Sequence, residues 1–340
     1  MLSNSSAPIN ISTYDGSGQV VHPSVVDFKN EYGLESWAGF RYWMVITPYP
    51  YENDATENPC LYCSEDGVNW HVPKGIDNPL DCREGGWEKG FNNDPDMIYN
   101  SKEDKLYIYY RFANNKELKV NLIRVDKYMN CEDKIVVMEQ SPWNHCTNKN
   151  RSLCIWMENC DKWHMWGGGG SDKPPYKIYY FFSKDGIHWE KPVQCLNEKG
   201  VDPFIALGMY NWHMSCKPNY KEHRIEFISY ALEMDGLFKK ISRKFSRVIL
   251  HKKKILKNSL LYAECDMKAP TIFKVPKKST VLITSKEGWD SNNLYRSSFQ
   301  IYDIGSCYFY KLWYSAVNKE GKWRLGYTSG IINTKYTKEG

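Results

Sequence analysis

The residues best suited to chemistry in this chain stand at the openings of short apolar segments. Asp94-Pro95-Asp96 sets two carboxylates two positions apart, so that in extended backbone they share a face and like charge raises one of their pKa values. The same tripeptide also suits a turn cap at Asp94 with Asp96 accepting from backbone amides. His22 opens His22-Pro23-Ser24-Val25-Val26, where an imidazole can bond a sugar hydroxyl, act as a base near neutral pH, or sit satisfied beside a pore. Trp212-His213 pairs a flat ring with an imidazole, a combination able to stack on and bond a sugar ring. Glu264 offers a third carboxylate, with Asp266 and Lys268 beside it to meet its charge. Arg296, after Tyr295, presents a planar guanidinium suited to a carboxylate or phosphate, or to a surface ion pair.

Two other patterns carry less. Cys60-Leu61-Tyr62-Cys63 has the spacing of half a zinc site, but no second pair or His cluster follows it, so neither a metal nor another cofactor is expected. Gly167-Gly168-Gly169-Gly170 lacks the Lys-Ser/Thr and helix of a phosphate loop and reads as a rim loop.

The elements that position these residues recur. Short apolar openings at His22-Pro23, Asp94-Pro95, Ser152-Leu153, Trp212-His213 and Ala269-Pro270 are each followed by an aromatic-rich strand, beginning at Tyr42, Leu106, Trp163, Ile225 and Thr280, about sixty residues apart. No stretch keeps apolar residues at helical spacing over three turns. Ser64-Glu65-Asp66-Gly67-Val68-Asn69-Trp70 and Ser183-Lys184-Asp185-Gly186-Ile187-His188-Trp189 share an S-x-D-G-x-x-W pattern, in which Asp-Gly makes a tight turn and Trp packs between units. The expected fold is all-β, a five-bladed β-propeller of four-stranded antiparallel blades. A six-bladed ring is the alternative, its extra blade opening at Leu294. Residues 1–21 form a polar N-terminal segment able to close the ring, and residues 22–340 a single propeller domain.

Composition agrees. Tyr, Trp and Phe make up 15% of the 340 residues, which excludes disorder and Ala/Leu-based helical arrays. A net charge of +5 gives no warrant for nucleic acid, and no apolar run approaches a membrane span. The basic run from Lys239 to Lys257 alternates with apolar residues and suits exposed outer strands. Eleven Cys leave at least one unpaired and fit reduced thiols. Trp37, Tyr49, Tyr51, Trp87, Phe91 and Trp289 fall in connecting segments, where rings are free to stack on sugar faces.

The x-P openings, the S-x-D-G-x-x-W hairpins and the closing Leu312-Trp313-Tyr314-Ser315-Ala316 and Trp323-Arg324-Leu325-Gly326-Tyr327 resemble five-bladed propellers of the glycoside hydrolase family 43 and 32 type. His22-Pro23-Ser24-Val25-Val26, Tyr42-Trp43-Met44, Thr47-Pro48-Tyr49-Pro50 and Glu57-Asn58-Pro59 more narrowly resemble propellers in phage tail and receptor-binding proteins of Gram-positive hosts. The glycosidase resemblance implies carboxylates converging on the funnel mouth, with Asp94, Asp96 and Glu264 as catalytic candidates and Glu57 reaching in from the loop before its strand. His22, however, stands where family 43 places an Asp.

The expectation that follows is a carbohydrate-binding virion protein attaching to host glycan or teichoic acid, with His22, Glu57, Asp94, Asp96, Trp212, His213, Glu264 and Arg296 as ligand contacts. Its partners would be cell-surface carbohydrate and other virion proteins, with no nucleic acid or membrane, and a homo-oligomer is allowed. The start Met1-Leu2-Ser3-Asn4-Ser5-Ser6 lacks the basic and apolar regions of a signal peptide, which fits synthesis in a host cytoplasm and delivery in a virion, or a cytoplasmic protein. The alternatives are a family 43/32-like glycosidase and a structural virion module.

Overall fold

A computed structural model describes residues 1–83, 89–114, 117–139, 151–169, 176–233, 259–276 and 278–332. It forms five antiparallel sheets around a common axis. Blade 1 holds β1 (Val20–Asp27), β2 (Tyr42–Pro48) and β3 (Cys60–Ser64), with a short helix α1 (Phe28–Tyr32) after β1. Blade 2 holds β4 (Phe91–Asn100), β5 (Lys105–Ala113), β6 (Leu118–Asp126) and β7 (Ile135–Glu139). Blade 3 holds β8 (Arg151–Asn159), β9 (Lys162–Gly169), β10 (Lys177–Ser183) and β11 (Val193–Gln194). Blade 4 holds β12 (Met209–Asn219), β13 (Arg224–Glu233), β14 (Ser259–Asp266), β15 (Ala269–Lys274) and β16 (Thr280–Ile283). Blade 5 holds β17 (Asn293–Asp303), β18 (Tyr308–Val317) and β19 (Trp323–Ile331).

The count of five holds, with three corrections. Ala269-Pro270 and Thr280 do not open a blade: β15 and β16 both pair with β14 as outer strands of blade 4. The segment from Leu294, set aside for a sixth blade, is the inner strand of the fifth. Blades also vary from three to five strands rather than keeping to four. The ring closes where Ile9 donates its N–H to Leu325 of β19 at 2.7 Å, adding the N-terminal segment to the outer edge of blade 5. Gly167–Gly169 lie in β9, paired with β10, so they form strand and no rim loop. The basic run from Lys239 to Lys257 and Trp87 lie outside the described residues.

Inner strands of neighbouring blades do not share a ladder, so side chains satisfy their inward N–H groups. Ser24 Oγ of blade 1 accepts from Met97 N of blade 2 at 3.0 Å, and Asp96 Oδ2 of blade 2 accepts from Ile155 N of blade 3 at 2.8 Å. Ser298 Oγ of blade 5 accepts from Val25 N of blade 1 at 2.9 Å. Asp96 is therefore the counterpart of two serines in a ring of blade-to-blade bonds, which answers the backbone demand for a partner at each buried amide.

The S-x-D-G-x-x-W hairpins join blades further out. Asp66 Oδ1 accepts from Val68 N and Asn69 N, and Asp185 Oδ1 from Ile187 N and His188 N, all at 2.8 Å. Gly67 and Gly186 take φ of 78° and 74°, and their carbonyls accept from Trp313 Nε1 of blade 5 at 2.6 Å and Tyr109 Oη of blade 2 at 2.9 Å. Each hairpin thus docks its blade on the preceding one.

Candidate active site

Every inner strand breaks register near its upper end: between Val21 and Ser24, Asn93 and Asp96, Arg151 and Leu153, Asn211 and His213, and Leu294 and Ser297. Such bulges leave a residue unpaired and re-aim its side chain. His22 and Asp94 occupy matching bulges, each before a proline and each in left-handed backbone with φ of 62° and 52°. That conformation costs about 1–3 kcal/mol per residue outside glycine and marks positions the surrounding structure holds for a purpose.

The outcome is a convergence on the axis. His22 Nε2 lies 3.1 Å from Asp94 Oδ1, and His213 Nδ1 lies 3.4 Å from the same oxygen. All three residues are buried, and their donor atoms lie within 4.8 Å of one another, the single such group among the described residues. Despite the 3.1 Å approach, neither His22 Nε2 nor Asp94 Oδ1 takes part in a hydrogen bond among the described residues. Two imidazole nitrogens at 3.1 and 3.4 Å from one carboxylate oxygen match the spacing around a divalent ion, whose bonds of about 2.0–2.2 Å put adjacent ligands roughly 3–3.5 Å apart. Burial holds the His22 pKa down at about 4, against the pull of Asp94, so the ring is neutral near pH 7 and leaves a lone pair for such an ion.

The other contacts of these three residues orient them. Asp94 Oδ2 faces Ser152 N at 3.4 Å and Arg111 Nε at 3.6 Å, and Arg111 Nε also donates to Asn93 Oδ1 at 2.7 Å. Burial works to raise the Asp94 pKa, yet the imidazoles of His22 and His213 with Arg111 and Arg296 hold it far below the usual carboxylate range. His22 Nδ1 lies 3.1 Å from Thr47 Oγ1 and 3.5 Å from Glu57 Oε1. Glu57 is buried, and its pKa is pushed well up, first by burial and then by the charge of Asp94. Tyr295 packs edge-on to His213 with ring centres 4.3 Å apart, and lies 5.1 Å from the His22 ring.

Tyr295 also forms the wall of an adjacent cleft of about 490 Å³, lined with Tyr49, Glu52, Trp212, Tyr230 and Trp323. Of the rings expected in the connections, Tyr49 reaches this cleft, whereas Trp37 and Phe91 are buried in packing and Trp289 stacks on Tyr314 near the ring closure. The remaining cleft aromatics come from strands.

Three of the expected site residues lie elsewhere or serve otherwise. Asp96 accepts from Ser24 Oγ at 2.8 Å and from Arg296 Nη2 at 2.9 Å, besides Ile155 N, so its oxygens are committed to joining blades. Burial outweighs the Arg296 guanidinium and raises the Asp96 pKa. Arg296 also donates to Leu153 O at 2.9 Å, crossing the axis beneath the cluster, so the carboxylate it faces is the protein's own. Glu264 lies on β14 opposite Glu226, which pairs with Lys217, four residues and roughly 13 Å down the inner strand from His213. There it accepts from Tyr262 Oη at 2.6 Å and faces Arg224 at 3.4 Å. A second cavity of about 260 Å³ opens at that lower end, where Glu31 is met by Lys217 at 2.7 Å. It lies away from the histidine cluster.

Thr47, Arg111 and Tyr295 escaped the sequence reading as contributors. Thr47 and Arg111 sit at the upper ends of second strands, opposite the openings of β1 and β4, and the openings were the only positions the repeat singled out.

No family model matches the chain. It is 24% identical over 341 residues to the A type blood N-acetyl-α-D-galactosamine deacetylase of Flavonifractor plautii, a match spanning 89% of this chain and 40% of that protein. The crystal structure of an N-acetylgalactosamine deacetylase from F. plautii in complex with blood group B trisaccharide superposes with a TM-score of 0.76 at 21% identity, covering 97% of this chain and 95% of that one. The catalytic domain of the Coprinopsis cinerea GH62 α-L-arabinofuranosidase gives a TM-score of 0.60 at 10% identity over 96% of both chains. The Bombyx mori GH32 β-fructofuranosidase gives 0.54 at 14% identity over 98% of this chain and 63% of that one. The similar proteins are carbohydrate-processing enzymes that share the five-bladed architecture. The match to a deacetylase overturns the expectation of a phage attachment protein and favours the enzymatic alternative.

Proposed function

We propose that the chain is a metal-dependent carbohydrate N-deacylase that hydrolyses the amide of an N-acyl amino sugar. The observation that carries this reading is the convergence of His22, Asp94 and His213 on one point beside the buried carboxyl of Glu57. Such a site suits amide hydrolysis better than glycoside hydrolysis, because Asp94 is enclosed by two imidazoles and Arg111 and is poorly disposed to attack a sugar carbon. Similarity to a carbohydrate deacetylase supports the choice.

A divalent ion held by the three donors would supply Lewis acidity to the acyl carbonyl. Glu57 would take a proton from water as the new C–O bond forms and return it to nitrogen as the C–N bond breaks, leaving an amine and a carboxylic acid whose own proton passes to the amine or to solvent. Burial suits it to both tasks by raising its affinity for the proton. Tyr295, Trp212 and Trp323 would hold the sugar ring against the cleft wall and keep bulk water from the site.

The test is to incubate zinc- or manganese-loaded protein with methyl N-acetyl-α-D-galactosaminide and its gluco isomer, measuring acetate and reducing sugar separately. Acetate release that stops on chelation is expected. Reducing sugar without acetate would establish a glycosidase instead, and no product from either compound overturns the deacylase reading for these sugars.

A further inference from the structure

We infer that Thr47 is a positioning residue that fixes the tautomer of His22, holding the proton on Nδ1 so that Nε2 presents a lone pair to the axis. The inference rests on the metal-site reading above, but its evidence is the hydrogen-bond network. Thr47 Oγ1 donates its hydrogen to Val21 O at 3.3 Å, within the same strand pair that carries His22. With that hydrogen on Val21 O, the hydroxyl oxygen meets His22 Nδ1 at 3.1 Å as an acceptor, which makes the ring nitrogen the donor. Glu57 Oε1 lies 3.5 Å from the same nitrogen. A lone pair on Nδ1 would face the hydroxyl oxygen, whereas an Nδ1–H satisfies it.

On the opposite side of the ring, Nε2 stands 3.1 Å from Asp94 Oδ1 without making a hydrogen bond. An unprotonated Nε2 there leaves both atoms open to a cation. Thr47 is fully buried at the end of β2, so its hydroxyl has no solvent to satisfy and serves the imidazole and the strand alone. Partners of this kind behind a ligating imidazole commonly govern metal affinity by 10–100-fold.

The experiment uses 15N NMR of the metal-free full chain at neutral pH, with the His22 signals identified by their loss in His22→Asn. Nδ1–H with unprotonated Nε2 is expected, and Nε2–H in the wild type overturns the inference. Zinc titration by calorimetry then compares wild type, Thr47→Val and Thr47→Ser. The inference expects affinity to fall about 10–100-fold in Thr47→Val and to return in Thr47→Ser. Equal affinity in all three overturns it. If the wild type shows the Nδ1–H form yet binds no zinc, manganese or other divalent ion, the metal-site reading fails while the tautomer assignment stands. Should Thr47→Val not fold, Thr47→Ala takes its place in the same comparison, and the wild-type spectrum still decides the tautomer.

Discussion

His22 and Asp94 occupy the same bulge in successive blades, share a left-handed backbone and a following proline, and bring Nε2 and Oδ1 to 3.1 Å without a hydrogen bond. The repeat that builds the ring thus also builds the cluster. Replacing either residue by Asn keeps a side chain that tolerates left-handed backbone while removing a ligand. His22→Asn and Asp94→Asn should each weaken zinc binding by at least ~100-fold, beyond the range typical of residues behind the ligands. Melting in chelator should change little for His22→Asn, whereas Asp94→Asn should melt lower at pH 7, because the depressed carboxylate pKa is stability that the amide lacks. Calorimetry showing unchanged affinity in both variants would dismiss the cluster as a metal centre.

Glu57 gives a prediction whose sign differs for activity and stability. As the proton carrier, its replacement in Glu57→Gln should lower turnover by about 10²–10⁴-fold, with zinc affinity changed far less. Stability should move the other way. Because the folded pKa is raised, the folded chain binds this proton more tightly than the unfolded one, a contribution fully present below the ordinary carboxylate range and lost as pH rises towards the folded value. Above that value the buried charge opposes folding. In metal-free protein at pH 7, Glu57→Gln should therefore melt higher than wild type, by on the order of 2 °C for each kcal/mol relieved, and the gap should close near pH 4. A lower melting point at pH 7 would contradict the burial argument.

Much of the architecture was legible because it repeats. Proline-marked openings and the Asp-Gly hairpins gave blades, count and strand direction. The fifth opening was misplaced because Ala269-Pro270-Thr271 has the pattern of an inner strand but pairs with β14 as an outer one, whereas β17 opens without proline. The site was legible one residue at a time. His22, Asp94 and His213 stood out singly as polar groups at strand openings, but three residues from three blades leave no short motif, and their meeting depends on the closure of the ring. Asp96 shows the converse: two residues after Asp94 it has the chemistry of a catalytic acid and the work of Ser24 and Ser298.

That equivalence can be checked directly. Asp96→Ala removes the acceptor of Ser24 Oγ and Ile155 N and leaves the Arg296 guanidinium buried without its partner, a type of loss that costs about 3–5 kcal/mol. Chemical denaturation should record a drop near 3 kcal/mol, while zinc affinity stays within about threefold of wild type. Glu264→Gln should leave acetate release unchanged. A selective loss of turnover in either variant, with stability intact, would return that carboxylate to the active site.

The hairpin docking makes the last prediction. A Cβ at Gly186 would lie 2.6 Å from Tyr109 Oη and 2.9 Å from the Trp163 ring, and the backbone there has φ of 74°. Left-handed backbone costs an alanine roughly 1–2 kcal/mol, and crowding a packed interface adds about 1–3 kcal/mol. Gly186→Ala should therefore destabilise by about 2–5 kcal/mol, as should Gly67→Ala, whose Cβ would meet Trp313 at 2.9 Å. Gly200→Ala has no neighbour within 4 Å and should lose only the backbone part, about 1–2 kcal/mol. If all three variants unfold at the same denaturant concentration, the glycines are mere turn formers, and the carbonyl contacts from Trp313 and Tyr109 do not join the blades.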